Sequence, residues 1–399
     1  MSKFYLPTYE ECVLICKSNE NFFEKKTEIN GLQVSVFNYR LATLSDFISP
    51  LGESSPIQAT ELRGITFVHN PKTGKAERNL MLHKFFNIDQ TEGYMLSQIQ
   101  HKKIIRSQDK ADGSMIRFVK VGDKILAKTK VSFENDQAAI AQNLMEKNPK
   151  IKSFVEETIE KGLSAIFEFV SPMNQIVLVY GDTKLVLLQL RDETTGEYLD
   201  IYSNEIVKKH GVELVKSEEI QTFDFYMEGQ KTVTDREGWV LTLKDENGFL
   251  QLVKRKTQWY MDRHGLLTEG LARENHILAM ILNETIDDAM ALVVAADPRR
   301  KYAEEIQKRV SVYLEKSLKE VKEIMAQYNG VRKDFALKFK DTEWFSVAVK
   351  HLDVKDEEKI YSAVKDRVLY QTKNLMEAKD FVAKTLGVQL MDLIVDTDS

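Results

Sequence analysis

The stretch "SQDKADGSMIRFVKVGDKILAKTKVSF", residues 107–133, decides the fold. Two runs rich in Ile, Val and Phe, "MIRFVKV" and "KILAKTKVSF", flank Gly122 and Asp123, a pattern of short strands separated by turn residues. Asp112 and Gly113 form a common turn pair just ahead of the first run. Lys110 stands beside that pair, and the local signal alone reads as a plain hairpin-type turn with a solvated lysine; a nucleophile is the alternative that the rest of the chain must support.

Similar runs recur from about residue 33 to 262: "GLQVSVFNY", "RGITFVHN", "SAIFEFV", "QIVLVYG", "KLVLLQLR", "GWVLTLK" and "FLQLVKRK". Two helical inserts, "ENDQAAIAQNLMEKN" and "IKSFVEETIEKG", interrupt them, and residues 8–24 read as a helix. The expected fold is α+β, built on antiparallel sheets. Strand signals stop after about residue 265. Beyond it, Ile277, Ile281, Leu282 and Ile286, then Ile306, Val310, Tyr313, Val321 and Ile324, follow helical spacing, with Pro298 between the two sets. The expected domains are 1–264, the mixed domain, and 265–399, all helical.

The 399 residues allow two domains and a sizeable core. A net charge of −5 argues against a surface coated for nucleic acid, so such contacts must come from local basic clusters. Cys12 and Cys16 share a helix face and no Cys/His set completes a zinc site, so both are read as reduced core thiols. "MSKFYLPTYEE" has no signal-like apolar run, and no stretch reaches the roughly 20 apolar residues of a membrane span. The expectation is a cytoplasmic protein with no membrane partner.

Lysine attacks only as the neutral amine, about one molecule in 2,500 at pH 7 at its ordinary pKa. Nearby cations or burial must favour that form. Cations are plentiful: Lys84 in "HKFFN", Lys128 and Lys130 in "AKTK", Lys254 and Lys256 in "VKRK". Strand alternation would turn each K-x-K pair to one side and could aim four ammonium groups at one groove, although either pair alone reads rather as a solvated outer face. Glu168 sits inside the apolar "AIFEFV", where an isolated charge is costly, and Glu237 opens "EGWVLTL" with Gly238 allowing close backbone approach. A structural ion pair explains either carboxylate as well. Arg63, before a glycine and a strand, suits a forked grip on phosphate. There is no phosphate-binding glycine-rich lysine loop, no dinucleotide fingerprint, no G-x-S-x-G elbow and no ligand-spaced histidine set. Lysine, carboxylates and cations of this kind suit magnesium and a nucleotide.

The ordered set "KADGS" (110–114), "FEFV" (167–170), "EGWV" (237–240) and "VKRK" (253–256), with 58, 69 and 17 residues between its key positions, resembles the covalent nucleotidyltransferases. "LRGITF", "HKFFN", "AKTK", "NQIVLVY", "LRDETTGEYL" and "KTQWY" resemble more closely the phage RNA ligase 1 family, of the tRNA-repair type. The resemblance implies a nucleotidyltransferase domain followed by a helical domain that selects RNA. It implies ATP as AMP donor with Mg2+ or Mn2+, and a reaction through lysyl-AMP and RNA-adenylate that joins 5′-phosphate to 3′-hydroxyl ends. Lys110 would be the nucleophile. Tyr39, Arg63, Lys84, Phe86, Asp112, Gly113, Lys130, Glu168, Gly238, Val240, Lys254 and Lys256 would contact ATP. Glu237 would help hold the metal, and Lys128, Lys130 and Tyr260 would serve the sealing step. Asp287, in "IDDA", is a candidate metal ligand or a solvated helix carboxylate, and the basic "DPRRKY" could touch phosphates or simply start a helix. Val131 stands where the family has glycine after the second lysine, which puts the local turn in question. The expected partner is single-stranded RNA or a nicked tRNA, met by a monomer, with an RNA end-healing kinase/phosphatase alongside. The alternatives are a DNA-joining or capping enzyme, which would need a small barrel within 265–399, and a non-catalytic RNA-binding protein of the same fold.

Overall fold

Asn30 and Gly31 both take positive φ, 53° and 74°, the backbone of the tight hairpin turn that an Asn-Gly pair favours. The computed structural model, which describes residues 4–171, 182–263, 271, 273–291, 298–354 and 356–389, uses this turn to join β1 (Phe22–Ile29) to β2 (Leu32–Tyr39). β3 (Thr66–Asn70) and β4 (Lys75–Asn79) complete an antiparallel sheet in the order β1-β2-β3-β4. The helix expected over 8–24 is shorter. α1 is Tyr9–Ser18, opened by a Thr8–Glu11 capping box and closed at Asn19. The next residues are drawn into β1 because pairing with β2 outweighs local helix preference. Cys12 and Cys16 on α1 are unbridged; burial raises the first thiol's pKa and brings the second to about 12.

Two further antiparallel sheets carry the remaining strands. β5 (Lys103–Asp109), β6 (Ser114–Val121), β7 (Lys124–Lys128), β8 (Leu163–Val170) and β9 (Lys184–Asp192) are followed by β10 (Tyr198–Leu199), β11 (Ser217–Glu218), β12 (Gly238–Lys244) and β13 (Leu250–Lys256). One sheet runs β10-β9-β8-β6-β7 and the other β11-β5-β12-β13. The strand expected at "QIVLVYG" lies outside the described residues. The short helices α2 (Leu44–Ile48) and α3 (Leu96–Ile99) precede the expected inserts, which form α4 (Asp136–Lys147) and α5 (Pro149–Glu160). Phe154 of α5 meets Phe167 of β8 edge to face, both rings fully buried, in a core with Ile116, Phe118, Leu187 and Leu190. Each such ring stabilises the domain by about 2–3 kcal/mol. α6 (Glu205–His210), α7 (Phe223–Thr232) and α8 (Gln258–Arg263) follow.

The chain divides into two compact units, Met1–Arg40 with Leu44–Gly265, and Leu41–Thr43 with Leu266–Ser399. Among its described residues, the second has helices α9 (Glu274–Leu282), α10 (Ile286–Met290), α11 (Pro298–Met325), α12 (Arg332–Phe339), α13 (Phe345–Lys350), α14 (Glu357–Gln371) and α15 (Leu375–Asp380), and no strand. The apolar span around Ile277–Ile286 is broken in two, with Glu284 at φ 59° between α9 and α10. Pro298 opens α11, a position where its missing N–H costs nothing. No described helix is long and apolar enough to cross a membrane.

Candidate active site

Lys110 does not sit in a hairpin. β5 ends at Asp109 in one sheet and β6 begins at Ser114 in the other, so residues 110–113 cross between two sheets. Each end of the crossing is fastened. The Lys110 N–H donates to the carbonyl of Gly238 at 3.0 Å, on the β12 side. Gly113 lies so close to β8 that a Cβ there would be 2.3 Å from the Phe169 carbonyl oxygen. Asp112 is buried, and its Oδ1 accepts the Tyr260 hydroxyl at 2.9 Å. The Asp-Gly pair therefore shapes a crossing from which the Lys110 side chain reaches Glu237.

Glu237 stands one residue before β12, with its side chain 3 % exposed. Its Oε1 lies 2.6 Å from Lys110 Nζ and 3.0 Å from Lys256 Nζ. Gly238 makes this possible: a Cβ there would be 2.1 Å from the Arg255 carbonyl oxygen, so β13 could not pair as closely. Lys256 Nζ also lies 4.9 Å from the centre of the Tyr260 ring. Glu168, opposite Met115 of β6, belongs to the same electrostatic neighbourhood. Burial pushes its carboxyl up to about 8; Lys110 opposes the rise, Glu237 adds to it, and Arg63 and Asp112 act in opposite directions.

A second group of cations stands on irregular segments, apart from Lys254 on β13. Lys84 Nζ lies 5.2–5.4 Å from the ring centres of Tyr39, Phe47 and Phe86. Such cation–π contacts attract an ammonium to the ring faces. Lys130 Nζ is 5.4 Å from the Tyr39 ring on its own account. Arg63 donates to the His83 carbonyl at 3.4 Å and stacks near Phe85, while its buried Nε has no hydrogen-bond partner among the described residues. Lys254 is tied in through its backbone, which accepts from Ile88 N–H and donates to the Phe86 carbonyl. Val240, opposite Lys254, packs partly buried beside Leu252 and Ile166.

The four-ammonium groove is corrected in one respect. β7 ends at Lys128, because Thr129 and Ser132 bond to one another and close a turn. Lys130 thus leaves the strand, and Val131 needs no left-handed backbone there. Lys128 is fully buried rather than facing a groove: its Nζ donates to the Gly64 carbonyl at 2.9 Å and touches Met81 Sδ at 3.2 Å. Asp287 lies on the five-residue α10 in the second unit. Among the described residues no three His, Cys, Asp or Glu side chains cluster to hold a metal. Of "DPRRKY", Asp297 lies outside the described residues and Arg300 is buried.

Several residues of the site carried no local signal. Phe47 completes the cage around Lys84 from a helix of five residues. Arg236 pairs with Asp109 at 2.5 Å and with Glu218 at 2.7 Å, locking β5 to the start of β12 beside the Lys110–Glu237 contact. Glu61 and Arg191 form a fully buried pair at 2.7 Å. The sequence marks such residues only as charges near strands, since their partners lie 18 to 130 positions away.

Two lysine amines against one carboxylate beside a sheet crossing, with Arg63 in the electrostatic surroundings of the neighbouring Glu168, are groups whose chemistry suits phosphate. The model of a family described as RNA ligase, the phage RNA ligase 1 family, matches residues 61–260, half of the chain and every unit-one residue of this site except Tyr39 and Phe47. The chain belongs to that family. A protein of Thermovibrio ammonificans named "Putative RNA ligase" is 29 % identical over 336 residues, 83 % of each chain. Among solved structures, an archaeal ATP-dependent RNA ligase is 13 % identical over 92 % of this chain and 96 % of its own, with a TM-score of 0.46. An Aquifex aeolicus protein titled "Putative ATP-dependent DNA ligase" is 14 % identical over 79 % of this chain and 80 % of its own, at 0.40.

Proposed function

We propose that the protein is an ATP-dependent RNA ligase in which Lys110 is the nucleophile. The observation that carries this is the 2.6 Å contact between Lys110 Nζ and Glu237, shared with Lys256 and placed where the two sheets meet. The neutral amine attacks the α-phosphorus of ATP. A P–N bond forms, the bond to the β-phosphate oxygen breaks, and pyrophosphate leaves. The Glu237 carboxylate is within reach of the amine's proton. Arg63 and Lys84 hold the triphosphate tail, Lys254 and Lys256 stabilise charge at the α-phosphate, Glu168 takes the ribose and Val240 flanks the base. Tyr39, Phe86, Asp112, Gly113, Lys130 and Gly238 shape the nucleotide's surroundings.

An RNA 5′-phosphate oxygen next attacks the lysyl-AMP phosphorus, and the P–N bond breaks with return of a proton to the amine. A 3′-hydroxyl then attacks the 5′-phosphorus, loses its proton, and AMP departs. Tyr260 and Lys130 serve this stage. Mg2+ and Mn2+ favour one or two carboxylates completed by substrate phosphates and water, and Glu237 would be the carboxylate to meet such an ion, in competition with the Lys110 and Lys256 contacts on its Oε1. When bound, the ion would neutralise phosphate charge. The family relationship supports RNA as the substrate; we take it to be single-stranded RNA or a nicked tRNA, repaired in the cytoplasm of a phage-infected cell by a monomer after a kinase/phosphatase heals the ends. Helices of 265–399 would select that RNA.

Incubation with α-labelled ATP and Mg2+, followed by a chase with 5′-phosphorylated RNA, tests the reading. Acid-labile AMP on the wild-type protein, absent from Lys110→Ala and discharged by RNA, is the expected result. A wild-type protein that takes no label overturns it, and discharge by DNA alone replaces the substrate.

A further inference from the structure

The two segments that carry Arg63 and Lys84, residues 60–64 and 80–85, belong to no strand. The β3–β4 ladder brings them side by side as far as the Thr66–Asn79 pair, and beyond it no strand pairing continues. Past that pair, buried polar side chains cross between them. Lys128 Nζ donates to the Gly64 carbonyl at 2.9 Å on one segment and touches Met81 Sδ at 3.2 Å on the other. Arg191 grips both Glu61 carboxylate oxygens, at 3.0 and 2.7 Å, and donates to the Met81 carbonyl. The two cation-bearing residues add their own links: Lys84 N–H donates to the Thr60 carbonyl at 2.7 Å, and Arg63 donates to the His83 carbonyl.

Lys128 and Arg191 are 0 % exposed and Glu61 is 2 % exposed. Buried charges are costly to keep, and an apolar core of the same shape is often as stable. A fastening that fixes Arg63 against Lys84 gives these residues a use that packing alone does not. Their burial also removes Lys128 from any surface that RNA could touch.

We propose that Lys128 and the Glu61–Arg191 pair are positioning residues for the phosphate tail of ATP, acting by locking the Arg63 segment to the Lys84 segment. This rests on the ligase reading above. It separates the reaction into halves. Formation of lysyl-AMP needs the β- and γ-phosphates of ATP, whereas sealing of an RNA already carrying a 5′-adenylate does not.

The test uses the full chain and two variants, Lys128→Met and Glu61→Gln. For each, the KM for ATP is measured in single-turnover labelling, and the sealing rate is measured with pre-adenylylated RNA and a 3′-hydroxyl acceptor in the absence of ATP. An ångström of misplacement can cost about 100-fold, so the KM for ATP should rise roughly 10- to 100-fold while sealing stays within about two-fold of wild type. Retained sealing also reports a folded domain, and if Lys128→Met does not fold, Glu61→Gln decides by the same split. An unchanged KM beside a wild type that labels normally overturns this proposal alone. Loss of both halves together overturns it too, and loss of sealing alone in Lys128→Met assigns that lysine to RNA. A wild type that forms no lysyl-AMP overturns the ligase reading and this proposal with it.

Discussion

Lys110 and Lys256 share one carboxylate oxygen, Glu237 Oε1, at 2.6 and 3.0 Å. Both amines meet it just before β12, beside the crossing of residues 110–113 from one sheet to the other. Glu237→Gln keeps the shape and removes the charge. Loss of one partner from a buried pair costs about 3 kcal/mol, and loss of a positioned base costs about 100-fold or more in rate. We expect a lower melting temperature together with at least that drop in single-turnover AMP labelling. Unchanged labelling would remove Glu237 from the chemistry.

Tyr260 is buried and gives its hydroxyl to Asp112 at 2.9 Å. Tyr260→Phe leaves a buried carboxylate short of a donor, at a cost of about 1–3 kcal/mol. Because Asp112 lies within the crossing that aims Lys110, labelling should slow as well, by about ten-fold for each 1.4 kcal/mol lost from the reacting geometry. Urea denaturation and labelling rates on the same preparation measure both.

Glu168 carries the pH dependence. Its carboxyl is buried and pushed up to about 8 from an ordinary 4.5. Between those values the folded protein holds a proton that the unfolded chain has lost, so stability falls as pH rises through this window. Glu168→Gln stays neutral throughout. The variant should match wild type near the bottom of the window and exceed it by up to a few kcal/mol above about pH 8. Melting curves at stepped pH would show the two lines diverging, and parallel lines would refute the assignment.

Gly113 has no room for a side chain, since a Cβ would be 2.3 Å from the Phe169 carbonyl oxygen and 3.1 Å from Glu168 Cγ. Gly113→Ala must push β6 from β8 at the point that seats Lys110 and Glu168. Overpacking of this kind costs about 1–3 kcal/mol. We expect a lower melting temperature and a disproportionate loss of AMP labelling. A variant that labels at the wild-type rate would show that the crossing tolerates more space than its geometry implies.

The strands of the first unit announce themselves by two-residue alternation and turn residues, and the helices of the second by their apolar spacing. β1 was hidden because "FFEKKTEI" has no clean alternation and pairs only through the Asn30-Gly31 turn. β5, "KIIRSQD", was hidden likewise: its Arg106, Gln108 and Asp109 are held by Asp200, Tyr202 and Arg236, partners far along the chain. With β5 unread, the Asp112-Gly113 pair could only look like a hairpin turn.

The site follows the same division. Lys110, Glu168, Glu237 and Lys256 could be named from their order along the chain, because each is a charged residue beside a strand whose residue type suits phosphate chemistry. Whether Lys128 faces a groove could not, since strand alternation assumes that the strand continues, and the Thr129–Ser132 turn ends it. Residue types and their order are properties of the sequence. Which sheet each strand joins, which lysine is buried, and that two amines converge on one oxygen are set by contacts between residues far apart in sequence, 148 positions for Tyr260 and Asp112, and only the folded chain makes those contacts.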